Sequence, residues 1–252
     1  MSEKSIIQRW KGIMWRARLG FLIPSVNVVL EQEVSQMLPR GVSAHFARIR
    51  MKLELTENEL RELAGEKMLT AAKELADAKV DVIAFGCTVG SLIGGPGYEQ
   101  EITNKIKEST NVPAITTATA VVNALKHMGI RKICVATPYE EWLNKKEKDF
   151  LEANGFEVLT IKGLGVVGPP GADPSKVPPE IVYGFAKKVD SPDAEGLFIS
   201  CTDFRTIEIL ETLEKDLGKP VISSNQATLW MALRIAQVKE EIKGYGKLLA
   251  EK

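Results

Sequence analysis

Residues 80–91 read VDVIAFGCTVGS, and residues 196–205 read GLFISCTDFR. In each stretch a short apolar run ends at a cysteine followed by threonine, Cys87-Thr88 in the first and Cys201-Thr202 in the second. Short apolar runs of this kind are typical of parallel strands that are buried on both faces. Both stretches therefore predict a buried strand with a Cys-Thr pair just beyond its end.

The sequence around these stretches alternates between strand and helix patterns. The other predicted strands cover residues 18–23, 43–51, 113–117, 132–137, 158–161 and 220–223, and one long helix is predicted over 57–78. This alternation predicts an α/β fold with parallel sheets. The long segment 163–179, rich in proline and glycine at its start, is expected to be a lid or a crossover.

The spacing of these motifs contains a hidden repeat. Cys87 lies 63 residues after Pro24, and Cys201 lies 63 residues after Pro138, with each proline at the end of a predicted strand. We therefore expect two similar parallel-sheet α/β domains related by pseudo-twofold symmetry, with the active site in the cleft between them. The predicted boundaries are an N-terminal arm over 1–17, a first domain over 18–112 plus 225–252, and a second domain over 113–224.

Composition narrows the possible partners and the compartment. The 252 residues carry 33 basic and 33 acidic side chains, so nothing indicates nucleic acid as a partner. No apolar run approaches the roughly 18 residues of a membrane span, so no membrane span is expected. The N-terminus lacks an uninterrupted apolar core followed by a small-residue cleavage site, so no signal peptide is expected. Three cysteines far apart in sequence fit free thiols in a reducing cytoplasm.

The predicted site chemistry centres on the two matched cysteines. Ligands of parallel α/β sheets bind outside the carboxyl ends of the strands, where both Cys-Thr pairs fall. A substrate between the thiols could lose a proton to one and gain one from the other, or one thiolate could add to carbon while the other moves the proton. Neither cysteine adjoins a His or Lys, so the expected activation is a position at the start of a helix. The candidate substrate-binding residues around them are Pro24, Ser25, Asn27, Thr88, Val89, Tyr139, Thr202 and Asn225.

Other residues of chemical interest are interpreted as structural. Cys134 lies inside the apolar run 133–136 and is expected to pack as a small hydrophobe. His45 and His127 are distant from each other and lack a matching acidic cluster, so no metal site is expected. The glycine-rich segment 94–101, GGPGYEQE, lacks the pattern of a phosphate-binding loop and the spacing of a dinucleotide-binding one. A site of the predicted kind needs neither a metal nor an organic cofactor.

Several motifs together resemble the aspartate/glutamate racemase superfamily, and within it the maleate cis-trans isomerase and arylmalonate decarboxylase group. The matching segments are IPSVN at 23–27, FGCTVGS at 85–91, ATPYEEWLN at 136–144, NGFEV at 154–158, SCTDFRT at 200–206 and ISSNQATLW at 222–230.

The resemblance implies a cofactor-independent and often dimeric enzyme, expected here to be a homodimer or higher homo-oligomer. It implies maleate isomerase chemistry, with Cys87 adding to the alkene carbon and Cys201 acting as the acid/base on the neighbouring carbon. It further implies that Asn27 and Tyr139 hold the substrate carboxylates.

Two departures bear on the reaction. Arylmalonate decarboxylases carry glycine at the position of Cys87, so this cysteine favours isomerisation. The isomerases usually carry another substrate-binding Asn in the loop after the NGFEV strand, whereas 163–171 reads GLGVVGPPG here. A related diacid, racemisation of a small acid and decarboxylation therefore stay open, as does a non-catalytic carboxylate-binding protein. Two thiols argue against the last, because binding a carboxylate does not need them.

Overall fold

The computed structural model describes residues 15–52, 55–167 and 173–251. Within these ranges the strands are β1 (Ala17–Pro24), β2 (Val42–Ile49), β3 (Val82–Phe85), β4 (Ala114–Thr116), β5 (Lys132–Thr137), β6 (Glu157–Gly163), β7 (Gly196–Ile199) and β8 (Val221–Ser223). The helices are α1 (Leu30–Met37), α2 (Glu57–Leu63), α3 (Glu66–Asp77), α4 (Thr88–Leu92), α5 (Tyr98–Thr110), α6 (Thr117–His127), α7 (Glu141–Ala153), α8 (Pro179–Val189), α9 (Leu210–Leu217), α10 (Ser224–Ile235) and α11 (Lys247–Ala250).

The strands form two four-stranded sheets with the same connectivity. The first sheet has the order β2-β1-β3-β4 and the second has the order β6-β5-β7-β8. Every strand pair is parallel. The predicted α/β class and the parallel sheets are confirmed. The equal orders also show that the repeat in the sequence is a repeat of topology.

An acidic side chain occupies the same place in each half. Asp81, just before β3, accepts a hydrogen bond at 2.8 Å from the backbone N–H of Arg18 in β1. Glu195, just before β7, accepts hydrogen bonds from the N–H groups of Arg131 at 2.6 Å and Lys132 at 3.0 Å. In both halves a carboxylate therefore satisfies a backbone donor at the start of the first strand, which aligns that strand with the one that leads to the cysteine.

The last strand of each sheet ends in a matched helix cap. The Thr116 side chain accepts from the N–H of Thr119 at the start of α6, and the Ser223 side chain accepts from the N–H of Gln226 at the start of α10. Hydroxyl caps satisfy backbone donors that a helix start leaves open. Helices α6 and α10 pack against each other, and α10 also packs on β3 and β4 of the first sheet.

The structure corrects three details of the prediction. The segment 114–116 pairs with β3 in the first sheet, so the boundary predicted between residues 112 and 113 falls before a strand that belongs to the first half. The single helix predicted over 57–78 is two helices, because Gly65 has a non-helical backbone with ψ −153°. Strand β1 begins at Ala17 and so takes the last residue of the predicted arm.

Two predicted segments fall largely outside the described residues. Residues 1–14 of the arm and residues 168–172 of the 163–179 segment are not described. None of the helices in the described ranges is long and apolar enough to cross a membrane.

Glycine at the start of β7 offers a test of the packing that supports Cys201. A Cβ atom added at Gly196 would lie 2.6 Å from Cδ1 of Ile130, whereas one added at Gly184 in α8 would meet nothing within 4 Å. We expect Gly196→Ala to lower the free energy of unfolding by about 1–3 kcal/mol through overpacking. The control Gly184→Ala should raise it by about 0.4–1 kcal/mol, because alanine restricts the unfolded chain and favours helix. Equilibrium urea unfolding measures both, and equal effects would contradict the packing described.

Candidate active site

Cys87 lies between the end of β3 and the start of α4, as predicted. It is the N-cap residue of that helix, with an extended backbone. Gly90 makes room for the sulfur, since a Cβ atom at residue 90 would come within 2.9 Å of Sγ. The thiol is almost fully buried, with 7% of the residue exposed. The sequence therefore placed this cysteine correctly at a helix start.

Cys201 has a different local structure, and the expectation of a helix start is wrong for it. The chain after β7 forms turns, and the next helix, α9, begins only at Leu210. The reason is the backbone of Cys201, which has φ +95°, a value that residues with a Cβ atom rarely adopt. Such strain persists only where surrounding contacts impose it, and it concentrates at functional sites.

Hydrogen bonds that cross between the halves join the two Cys-Thr pairs. The Ser224 hydroxyl accepts from the Thr88 hydroxyl at 2.9 Å and from the N–H of Cys201 at 3.1 Å. The Thr202 hydroxyl donates to the carbonyl of Gly86 at 3.3 Å. Ser224, which follows β8, thus links the backbone of Cys201 to Thr88, and Thr202 contacts the residue before Cys87. The structure brings the two cysteines into one site, as the repeat predicted.

Asn27 and Ser25 connect the end of β1 to the same site. Asn27 donates to the Thr202 hydroxyl at 3.0 Å, and its side-chain oxygen accepts the N–H groups of Val29 and Leu30 at the start of α1. Ser25 accepts from the N–H of Met51 at 3.1 Å and is only partly buried. Pro24 ends β1, so it orients this turn.

Tyr139 is buried beside Cys201 and is held by the segment that follows β6. Its side chain lies close enough to Cys201 to lower the pKa of that thiol. The N–H of Val166 donates to the carbonyl of Pro138 at 2.8 Å, so the segment predicted as a lid or crossover runs directly past Tyr139. A Cβ atom at Gly163 would lie 1.9 Å from the Tyr139 carbonyl, and only glycine fits there.

Burial dominates the electrostatics of both thiols. Burial raises the pKa of Cys87 to about 12. The backbone N–H of Gly90 lowers this pKa, and the negative charge of Asp203 raises it. The Cys87 side chain makes no capping hydrogen bond to the helix. Burial also raises the pKa of Cys201 well above that of a free thiol, with Asp203 acting in the same direction, while the Asp203 N–H and Tyr139 lower it. The expected lowering by position alone is therefore outweighed, because the low-dielectric site disfavours the charged form.

Three carboxyl groups at the site, the buried Glu33 and Glu147 and the half-buried Asp203, were not among the predicted residues. Glu33 in α1 accepts the N–H groups of Thr206 and Ile207, at 2.6 and 3.1 Å, and the Asn225 amide at 2.7 Å. Burial raises the pKa of Glu33 to about 7, of Glu147 to about 7 and of Asp203 to about 6.

The local sequence around these three carboxyl groups gives no sign that they lie at the site. Glu33 and Glu147 lie in helices whose charge pattern resembles a solvated face, and only the tertiary fold buries them. Asp203 belongs to the SCTDFR motif, but the sequence does not indicate which groups its carboxylate contacts. Among the described residues, no group of three His, Cys, Asp or Glu side chains could hold a metal ion.

Fold and site together define a class of parallel α/β proteins in which two matched halves bring two thiols together at their interface. Residues 19–249 match the family model of arylmalonate decarboxylase, so the chain belongs to the arylmalonate decarboxylase family.

Relatives of the chain include maleate isomerases. It is 28% identical to maleate isomerase of Nocardia farcinica, over 93% of this chain and 96% of the relative. A crystal structure of a Cys-to-Ser variant of the Nocardia farcinica maleate cis-trans isomerase, with a covalently bound succinylcysteine intermediate, superposes with a TM-score of 0.88. That match has 26% identity and covers 95% of this chain and 99% of the other. A Cys-to-Ala variant of the maleate isomerase from Pseudomonas putida S16, with maleate, matches with a TM-score of 0.87 at 26% identity, over 93% and 97% of the two chains.

The strained backbone of Cys201 can be tested by comparing two substitutions at each cysteine. Glycine tolerates φ +95° whereas alanine does not, so we expect Cys201→Gly to be more stable than Cys201→Ala by about 1 kcal/mol. At Cys87, with φ −147°, the order should reverse, with glycine about 0.5–1 kcal/mol less stable than alanine. Equilibrium urea unfolding of the four variants reads this out, and the same order at both positions would argue against strain at Cys201.

Proposed function

We propose that this protein is a cofactor-independent two-cysteine isomerase of a small dicarboxylate, and that it converts maleate to fumarate. The observation that carries the proposal is the pairing of Cys87 and Cys201. Both are buried at equivalent strand ends, and cross-half hydrogen bonds join their motifs. The relatives that match over nearly the whole chain are maleate isomerases, and one of them was captured as a succinylcysteine.

The proposed reaction uses the two thiols in different roles. The Cys87 thiolate adds to one alkene carbon, and the electron pair of the double bond moves to the neighbouring carbon. Cys201 protonates that carbon, which leaves a succinyl thioether whose central C–C bond rotates freely. The Cys201 thiolate then removes a proton from the same carbon, the C–S bond breaks, and fumarate leaves with the Cys87 thiolate regenerated.

The proposed carboxylate-binding groups are neutral hydrogen-bond donors. Asn27 keeps one amide hydrogen beyond the one that it donates to Thr202, and the Tyr139 hydroxyl lies beside Cys201. Thr88 and Val89 supply backbone N–H groups at the turn after Cys87. Donors aimed at a carboxylate also stabilise the charge that develops on it when the thiolate adds.

Asn225 has a supporting role in this proposal. Its two amide hydrogens are donated to Glu33 at 2.7 Å and to the carbonyl of Thr202 at 3.2 Å. None is left for a substrate carboxylate, so Asn225 braces the loop after Cys201. Pro24, Ser25 and Thr202 in turn hold Asn27 and the neighbouring backbone in place.

A racemase or an arylmalonate-decarboxylase-like enzyme is the second candidate. The family model supports it, and so does the absence of Asn from residues 163–167, which the structure places next to Tyr139. We further propose a cytoplasmic location, because all three cysteines are free thiols, and a homodimeric assembly.

Substrate and reaction can be decided in one experiment. The protein, dialysed against a chelator, is incubated in deuterated water with maleate and a panel of small mono- and dicarboxylates, and the products are followed by NMR. We expect conversion of maleate to fumarate without an added metal or nucleotide. Exchange at an α-carbon without isomerisation would indicate a racemase, and loss of carbon dioxide a decarboxylase. Restoration of lost activity by one metal would contradict the proposal.

The separate roles of the cysteines predict different trapped species. Cys87→Ser should lower turnover by at least about 100-fold and abolish covalent capture, because a serine hydroxyl is far less ionised than a thiol. Cys201→Ser should lose turnover but still form an adduct on Cys87. The control Cys134→Ser, in a strand away from the site, should keep nearly full turnover. Intact-mass spectrometry after incubation with substrate distinguishes these outcomes, and an adduct on Cys201 with Cys87 free would reverse the assignment.

A further inference from the structure

One carboxylate lies directly beside the two Cys-Thr motifs. Asp203 follows Cys201 by two residues, and its backbone N–H donates to Cys201 Sγ at 3.4 Å. Its Oδ1 accepts the N–H groups of Val28 and Val29, at 2.8 and 3.1 Å, from the first half of the molecule. These two residues follow Asn27, a proposed carboxylate-binding residue. The Asp203 carboxylate is thus fixed between Cys201 and the turn that carries Asn27.

The second oxygen of this carboxylate has no protein partner. Oδ2 of Asp203 accepts no hydrogen bond from the residues that the structure describes, yet it is not sealed in the interior as Oε2 of Glu147 is. None of the ion pairs within the described ranges includes Asp203. Arg48 lies near it but is paired with Glu31 at 2.7 Å. Asp203 therefore presents an accessible oxygen atom and a charge that no cation contacts.

A charged carboxylate at this place bears on which substrates the site can bind. After the larger effect of burial, the charge of Asp203 raises the pKa of Cys87 and of Cys201, so it acts at both sulfurs. The groups proposed to bind the substrate are neutral donors. A dicarboxylate dianion would therefore bring a second carboxylate close to Asp203 without a cation to offset it. Two carboxylates that share a site do not both stay ionised, and one of them takes up a proton.

We propose that Asp203 is a specificity-determining residue that makes the site bind a dicarboxylate together with one proton, held between Asp203 Oδ2 and one carboxyl group of the substrate. The other carboxylate of the substrate stays charged and binds to the neutral donors around Asn27. The ligand class selected is a singly charged acid whose second polar end carries a hydrogen for Asp203. The inference rests on the proposed function, since it concerns the substrate of that same site.

The shared proton also assists the proposed addition. When the Cys87 thiolate adds to the alkene, the electron pair of the double bond moves towards the neighbouring carboxyl group. A proton held at an oxygen of that group offsets the negative charge that develops there. When Cys201 protonates the carbon, the electron pair returns and forms the C–H bond. The proton between Asp203 and the substrate is not consumed.

The ionisation of Asp203 sets the pH range in which this effect is visible. Burial raises the pKa of Asp203 to about 6, the N–H groups of Val28 and Val29 lower it, the charge of Asp173 raises it and that of Arg48 lowers it. The other titratable or charged groups of the surrounding elements are Glu31 and Glu33 in α1, Arg205 and Glu208 in the loop after Cys201, and the two site cysteines. Above about pH 6 the empty site carries the charge of Asp203, and a dicarboxylate must bind with a proton.

Two saturated ligands, which cannot react with a thiolate, test the proposal. Succinate carries two carboxylates, whereas succinamate carries one carboxylate and one neutral amide. Their dissociation constants are measured by isothermal titration calorimetry from pH 6.5 to 8.5, where free succinate is the dianion. We expect the succinate constant to rise about tenfold per pH unit, because binding takes up one proton. The succinamate constant should stay flat, because its amide needs no proton to lie against Asp203.

The decisive variant is Asp203→Asn, which keeps an oxygen to accept the N–H groups of Val28 and Val29 but removes the charge. Its succinate constant should be flat with pH and, at pH 8, about tenfold or more lower than that of the unaltered protein. The matched control Asp173→Asn removes an equal charge from a carboxylate that is paired with Lys176 at 3.1 Å, and it should keep the slope. A flat succinate constant with Asp203 intact, or a slope that survives in Asp203→Asn, would overturn the proposal.

A measurement on the unaltered protein covers the case in which Asp203→Asn does not fold. Binding heats in buffers of different ionisation enthalpy give the number of protons taken up at pH 7.5. We expect about one proton per succinate and almost none per succinamate, and equal uptake for both ligands would overturn the proposal. Neither ligand is turned over, so this result is independent of whether the protein isomerises maleate.

Discussion

The hydroxyl of Ser224 holds the two halves of the site together. It accepts one hydrogen bond from Thr88, beside Cys87, and another from the backbone N–H of Cys201. A single oxygen atom thus fixes the distance between two loops that come from different sheets. The position of Ser224 is itself set by the capped start of α10, where Ser223 and Gln226 form a capping box. The start of α10 therefore helps to set the relative positions of the two thiols.

Burial of the site has two opposing effects, one on substrate binding and one on the ionisation of the thiols. A dry site strengthens every hydrogen bond to a substrate carboxylate, but it also disfavours thiolates. The surrounding polar groups are correspondingly dense: Glu33 and Asn225 hold the loop after Cys201, and Asp203 spans the cleft to Val28 and Val29. This bracing is consistent with the unusual backbone of Cys201, because a strained residue persists only where its neighbours leave it no alternative.

The sequence predicted the architecture well because the architecture is local and repeated. Apolar runs such as 82–85 and 196–199 are short, and the alternation of such runs with helical patterns is typical of parallel strands buried on both faces. The equal spacing of the Cys-Thr pairs then indicated two matched halves. The sequence did not reveal two other details. The short strand at 114–116 carries no sign of which sheet it joins, and the break at Gly65 lies inside an otherwise continuous helical pattern.

What the sequence determined by itself is the pair of strand-end cysteines, their threonines and the class of fold that brings them to one interface. These features follow from periodicity and spacing, which act over a few residues. Only the tertiary structure decided the turn at Cys201 and the burial of two glutamates, Glu33 and Glu147. In the sequence both glutamates look like ordinary charged residues on the exposed face of a helix. The physical reason is that protonation and backbone strain depend on solvent exclusion and on partners far along the chain, such as Ser200 for Glu147, and no local pattern records them.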